Sequence, residues 1–280
     1  MKNEPFLKKD VSIFSIPEWE KRNPILIVGF TTKRGGFSKG PYHSLNVGLH
    51  VKDDHETVVQ NRREIARKLN FPLSNWVFAD QVHDCHIEKV TSEHKGAGTI
   101  HYDDAIKKTD GLYTNEQNLL LSLCFADCVP LYFFAPKHHM IGLAHAGWRG
   151  TVKNIAGEML QVWIKKEKVL PKDIYVAIGP SIGPCCYKVD RKVIAEVEKL
   201  FGFDAGLFYE EVEEGQFLLN LLEMNKAICL NEGIPEKNIL TSSYCTSCQE
   251  NDFFSHRRDQ GKTGRMMSFI GFKEGFSFCR

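Results

Sequence analysis

The segment Leu119-Leu120-Leu121-Ser122-Leu123-Cys124-Phe125 leads through Ala126-Asp127-Cys128 into Val129-Pro130-Leu131-Tyr132-Phe133-Phe134. Apolar runs this continuous suit strands covered on both faces, because neither side of the pleat meets water. The polar pair Asp127-Cys128 then sits at a break between two such strands. A carboxylate in that position is costly without a partner, so it implies one. The Cys128 thiol has three readings there: metal ligand, nucleophile, or inert buried cysteine.

A third run, Met140 to Ala144, ends at His145 and turns through Ala146-Gly147-Trp148-Arg149-Gly150. Beyond it Val152, Ile155, Ala156, Met159, Leu160 and Trp163 fall on one face of a helix. Upstream, Ile25 to Thr31 reads as a strand, followed by a Gly-dense loop from Lys33 to Tyr42 suited to cover a ligand or simply to lie on the surface. A helix is expected from Asp54, a plausible N-cap, to Leu69, with Pro72 beyond its end. Cys85, Ile87 and Lys89 alternate with their neighbours, which puts His83 at the start of a strand. Further on, Ile174 to Ile178, Ile239 to Ser243 and Met266 to Phe272 read as strands, and Asp190 to Phe201 and Leu218 to Asn231 as helices. No repeat, low-complexity tract or linker interrupts the chain, so residues 1–280 are expected to form a single α+β domain with mixed β-sheets flanked by helices.

The 280 residues carry 36 Lys plus Arg against 35 Asp plus Glu, a net charge of +1. No field of one sign is available for a nucleic-acid backbone or an anionic membrane, so any anion must be held by a few placed groups. Nine cysteines, an odd number partly set in apolar runs, suit buried thiols and a reducing compartment. The N-terminal residues lack a signal-like apolar core, and the early run Pro24 to Phe30 is too short to cross a bilayer. A cytoplasmic protein is expected.

The chemistry concentrates in a few motifs. In His145-Ala146-Gly147-Trp148-Arg149-Gly150 small residues let backbone approach a ligand, the helix start offers unpaired N–H groups to an anion, Arg149 offers a bidentate fork, and His145 can serve a metal or a proton. The bland alternative is a tight turn with Trp148 as core. His83, in Gln81-Val82-His83, taken alone could equally be structural. Cys245-Thr246-Ser247-Cys248 has the spacing of half a zinc site, but no second Cys-x-x-Cys or histidine knuckle completes it. Adjacent Cys185 and Cys186 are expected to pack in a turn, since neighbouring cysteines bridge only with strain. Phe253-Phe254-Ser255-His256-Arg257-Arg258-Asp259 could stack on a base and hold a phosphate, or anchor a loop.

Together these segments resemble the laccase-domain purine nucleoside phosphorylase family, formerly called polyphenol oxidases, along nearly the whole chain. The resemblance runs through Gly35-Gly36, Ser44 to Gly48, Asn61-Arg62, Gln81-Val82-His83, Ala126-Asp127-Cys128, His145 to Gly150, Ile178-Gly179-Pro180 and Phe254 to Arg258. It implies a fold similar to that of cysteine-dependent toxin deamidases, and zinc held by His83, Cys128 and His145 with a fourth position open. It also implies phosphorolysis of adenosine, inosine and S-methyl-5′-thioadenosine, and hydrolytic deamination of adenosine. On that footing Asp127 is the candidate proton carrier, Arg149, the adjacent helix start and Arg62 the phosphate site, and Asn46 and Gln81 the nucleoside contacts. The His-x-Glu and Pro-Cys-x-x-Cys deaminase pattern is absent.

Three other readings compete. Copper oxidation calls for paired histidines, and no His-x-His occurs among the eleven histidines, so copper is less suited than zinc. A cysteine amidase would use Cys128 as nucleophile and His145 as base. A non-enzymatic binding module, for instance one acting on cell-wall precursors, has no named residues to support it.

Overall fold

The computed structural model describes residues 4–275; the remaining ends of the expected domain, 1–3 and 276–280, lie outside the described residues. The opening segment forms two strands in different sheets. One six-stranded sheet comprises β1 (Leu7–Lys8), β2 (Ile13–Ser15), β3 (Leu26–Thr31), β4 (Trp76–Phe78), β7 (Leu119–Phe125) and β15 (Met266–Phe272), in the order β1-β2-β3-β15-β7-β4. The other comprises β5 (Ile87–Lys89), β6 (Gly111–Thr114), β8 (Val129–Ala135), β9 (Met140–Ala146), β10 (Tyr175–Ile178) and β14 (Ile239–Thr241), ordered β14-β10-β8-β9-β6-β5. Both are mixed: β4 runs parallel to β7, β5 to β6 and β10 to β14, while the remaining pairs are antiparallel. A small sheet joins β11 (Lys188–Asp190), β12 (Tyr209–Glu213) and β13 (Gln216–Leu219).

The two large sheets pack face to face. Leu119, Leu121, Leu123 and Phe125 alternate toward Tyr132, Phe134, Ile141 and Leu143 of the facing sheet in one buried cluster. Leu120 and Cys124 point the other way, onto Ile65, Ala66 and Leu69 of α2 (His55–Leu69), while Leu131 and Phe133 meet Ile155, Met159 and Trp163 on the far side. Every position of β7 and β8 is therefore buried, which is why neither strand shows a polar alternation. The first helix, α1 (Pro17–Arg22), packs against β3 and buries Trp19 against Phe134 in the cluster between the sheets.

Local chemistry sets most boundaries. The Asp54 carboxylate accepts from the Thr57 amide at 2.9 Å to start α2, and Asn70 closes it in the left-handed region at φ 47°. Asp190 caps α5 (Arg191–Phe201) in the same way. Three expectations are corrected. The helix after His145 is broken into α3 (Trp148–Val152) and α4 (Ile155–Gln161), because Asn154 takes φ 64° and lays its amide against Gly157. The segment Leu218-Leu219 belongs to β13, and α6 (Leu221–Asn231) starts only at the Asn220 cap. His83 does not open a strand: it occupies a turn at φ 62°, four residues before β5.

The interleaved core makes a stability prediction. Leu123→Ala, between the two sheets, should destabilise by about 2–5 kcal/mol through lost transfer energy plus an unfilled cavity. Exposed Phe203→Ala should stay within about 0.5 kcal/mol. Urea unfolding of the two variants side by side checks this, and equal midpoints would contradict the two-sheet core.

Candidate metal centre and its cavity

Strand register assembles the site at one end of the second sheet. Pro130 pairs with His145 across β8 and β9, so Cys128, just before β8, comes level with the end of β9. Gly111 pairs with Ala144 across β6 and β9, which sets Asp110 beside His145, whose amide donates to the Asp110 carbonyl at 2.8 Å. Parallel pairing of Ile87 with Gly111 brings in the turn that carries His83. His83, Cys128 and His145 thus converge, with their ligating atoms within 4.8 Å of one another. The Cys128 Sγ lies 3.9 Å from His83 Nε2, and the two imidazole rings meet edge to face at 4.7 Å.

Asp110 holds two of these groups. Its wholly buried carboxylate accepts the amides of Val82 and His83 at 3.0 Å each and of Asp84 at 2.9 Å, and takes His145 Nδ1 at 2.8 Å. Burial would raise this carboxyl's pKa, but His145 and the amides outweigh burial and lower it. With Nδ1 so engaged, His145 turns Nε2 toward the cluster, the arrangement by which a carboxylate orients a metal-ligating imidazole. Burial by itself would push the Cys128 thiol up, yet the two imidazoles against its sulfur bring it down to about 6. Burial would depress His145, and the Cys128 sulfur and Asp110 together hold it up at about 9. A thiolate facing two imidazoles is the donor set of a metal of borderline softness. Gly147 leaves room for it: a Cβ there would stand 2.9 Å from Cys128 Sγ and 3.3 Å from His83 Cδ2. The residues present fit a metal ion held at the cavity wall.

That cavity measures about 360 Å³, and the three donors form part of its wall. Arg149 lines it with an exposed guanidinium stacked 4.6 Å over the Trp148 ring. Arg257 lies 5.1 Å over Tyr187, and Arg265 completes a basic wall that sequence reasoning had not assembled, while His50, which burial and the nearby Arg265 and Arg62 push down to about 4, adds a neutral imidazole. Other expected contacts are placed differently. Asn46 is fully buried and outside the cavity, its carbonyl taking the Gly48 and Arg265 amides and its amide donating to Asp53. Gln81 reaches the wall, but its amide is spent on the Cys124 backbone, donating at 2.9 Å and accepting at 2.7 Å. The Arg62 guanidinium also lines the cavity, 3.8 Å over Phe78, with Nε donating to the Val47 carbonyl and Nη1 to those of Gly98 and Thr99. The helix start after Gly147 belongs to five-residue α3, too short to carry the dipole expected of it.

Asp127 turns the chain from one sheet to the other at φ 89°. Its carboxylate accepts the Thr246 hydroxyl at 2.6 Å, the Ser255 hydroxyl at 3.0 Å and the Arg257 amide at 2.7 Å. These are the partners its burial demanded, and they commit both oxygens to holding the crossover. Asp110 was the residue missed: an acid directly before a short apolar strand was its only sequence signal. Asp127→Ala should lower the unfolding midpoint, since three donors lose their acceptor at about 1–3 kcal/mol each. Asp127→Asn, which keeps one carbonyl, should recover part of the loss in thermal melts; equal melting of both variants with the parent would overturn the anchoring role.

Known proteins place this geometry. The family described as multi-copper polyphenol oxidoreductase laccase matches residues 27–273. A Geobacillus stearothermophilus protein named purine nucleoside phosphorylase YlmD is 52% identical over 89% of this chain and 90% of its own. Its Bacillus subtilis namesake is 49% identical over 96% and 98% respectively. The crystal structure of YlmD from Geobacillus stearothermophilus superposes with a TM-score of 0.93 at 48% identity, covering 97% of this chain and all of that one. A Neisseria meningitidis structure, protein NMB0706, reaches 0.79 at 27% identity over 97% of this chain and 100% of that one. With the family match running through nearly every strand of both large sheets, the chain belongs to the multi-copper polyphenol oxidoreductase laccase family.

Proposed function

We propose that this chain is a zinc-dependent purine nucleoside phosphorylase acting on adenosine, inosine and S-methyl-5′-thioadenosine, and that the same cavity deaminates adenosine by hydrolysis. The observation that carries the reading is the pairing of a three-donor cluster with a basic wall around one nucleoside-sized cavity. The name borne by the relatives supports it. His83, Cys128 and His145 would hold the zinc, which supplies Lewis-acid charge and a water of lowered pKa when bound. Two imidazoles and one thiolate suit zinc, and no paired-histidine copper cluster is present in the sequence.

The chain's own groups account for phosphorolysis. Arg149 supplies a fork for phosphate and Arg257, whose Nη1 donates to the Lys188 carbonyl at 2.6 Å, adds charge and its remaining donors, each steadied by an aromatic ring beneath it. Phosphate oxygen bonds to the anomeric carbon as the bond to the purine nitrogen breaks, giving base and ribose 1-phosphate or its methylthio analogue. The ring of Trp148 and the lining Phe78 and Tyr187 offer faces for the purine. In deamination, water adds to the purine and ammonia leaves. With Asp127 fully engaged, its part is to position Cys128 rather than to carry protons, and Gln81 likewise fixes the loop that ends in His83.

One observation favours a second reading. Cys128, His145 and Asp110 line up as thiolate, imidazole and orienting carboxylate, the order of a cysteine hydrolase. A hydrolase has no use for His83 against the same sulfur, which is why the metal reading is preferred. The two separate cleanly. For the metal enzyme, His83→Ala loses one zinc per chain by elemental analysis together with activity. For the hydrolase, Cys128 of the parent is rapidly alkylated by iodoacetamide and His83→Ala keeps its activity.

A nucleoside panel read by chromatography should show base release that depends on added phosphate, and none from any nucleoside would remove the proposal. Arg149→Ala should raise KM for phosphate by about tenfold, equivalent to about 1.4 kcal/mol, with zinc content unchanged. Asp110→Asn should weaken zinc binding by about 10- to 100-fold in a chelator competition; parent-like affinity would show that Asp110 does not orient the ligands.

A further inference from the structure

We infer that Cys185, Cys186, Cys245 and Cys248 form a second metal centre, a tetrathiolate site that takes one zinc ion. The Cys-x-x-Cys pair, which lacks a partner pair in sequence, finds one in space. All four Sγ atoms lie within 4.8 Å of one another. Cys186 and Cys248 approach to 3.3 Å, and Cys185 and Cys248 to 3.6 Å. A tetrahedron with zinc–sulfur bonds of about 2.3 Å has sulfur–sulfur edges of about 3.8 Å, so the cluster needs only a small adjustment to close on the ion.

The backbone prepares this convergence. The loop leaving β10 and the turn following β14 are tied by the Thr246 amide to the Ser181 carbonyl at 2.9 Å, and Ser181 bridges to Cys245. The Gln249 amide closes the Cys-x-x-Cys turn on the Cys245 carbonyl at 3.0 Å. The Gly183 amide donates to Cys245 Sγ at 3.2 Å, the outer-shell contact that orients a thiolate ligand. A side chain at Gly183 would crowd Cys185 Sγ and Cys245 Cβ at 3.3 Å each. Four thiols gathered from two loops with no carboxylate or imidazole among them match a closed structural site rather than a catalytic one.

The position gives the centre a purpose. Ile182 and Tyr187 of the first loop line the cavity. Thr246, between the two cysteines of the second, donates to the Asp127 carboxylate, and Arg258 grips the Thr246 and Ser247 carbonyls. A zinc ion here staples the two loops that brace the crossover carrying Cys128, without touching the reacting groups.

Elemental analysis of the purified full-length chain tests this against the first site. The parent should hold two zinc ions, Cys245→Ser/Cys248→Ser one, and His83→Ala one, so loss at either centre is read separately. Cobalt substitution of His83→Ala/Cys128→Ser, whose first site has no thiolate, should give intense thiolate-to-cobalt charge-transfer absorption that disappears when Cys245→Ser/Cys248→Ser is added. Cys185→Ser alone, at an exposed position, should weaken the second zinc at least tenfold in chelator competition even if the double variant misfolds. Equal chelator-competition affinity of the second zinc in the parent and Cys185→Ser would overturn the proposal. So would a disulfide among these four cysteines in the freshly purified chain, found by mass analysis after alkylation.

Discussion

One buried carboxylate governs the site. Asp110 collects three consecutive amides from the 82–84 turn and the Nδ1 proton of His145, and so fixes two side chains that come from opposite sides of β6. The turn it grips includes a non-glycine residue in the left-handed region, a conformation that costs free energy unless its surroundings enforce it. Charge-assisted hydrogen bonds in a dry setting are strong enough to do so. Without Asp110 the His83 turn would lose an anchor it shares with β9, and the histidine pair would no longer be held face to edge.

The second constraint is the passage of the chain between sheets. β7 and β8 lie in different layers, joined by only three residues, so the crossover must bend sharply and bury a polar group in doing so. Asp127 satisfies that bend by drawing in Thr246, Ser255 and Arg257 from the C-terminal third of the chain. The same contacts carry Arg257 to the cavity, so one carboxylate both closes the core and builds the basic wall. Fold and site are therefore coupled here through backbone geometry rather than through reactive groups.

Local pattern made much of this legible. The apolar runs of β7, β8 and β9, the Asp54 cap of α2 and the helix over Asp190 to Phe201 follow from burial and capping that neighbouring residues dictate. The break at Asn154 was hidden because Val152, Ile155 and Met159 keep the helical period on either side of it. Leu218 and Leu219 pass for helix or strand alike, and their pairing with two neighbours in β11 and β12 decided the matter. Among site groups, Asn46, Arg62 and Gln81 were expected to contact nucleoside or phosphate. In the structure Arg62 and Gln81 line the cavity while also holding the backbone of Val47, Gly98, Thr99 and Cys124, and Asn46 lies outside it, holding Gly48, Arg265 and Asp53.

By itself the sequence determined which strands are covered on both faces, where the chain must turn, and which side chains are able to bind metal or phosphate, because those properties depend on residue type and short-range period. Tertiary structure alone decided which of them meet. His83, Asp110, Cys128 and His145 become neighbours through the register of β5, β6, β8 and β9, and Cys185 and Cys186 reach Cys245 and Cys248 through the parallel pairing of β10 with β14. Register is set by the packing of whole faces against one another, a condition spread over the core and written in no single motif.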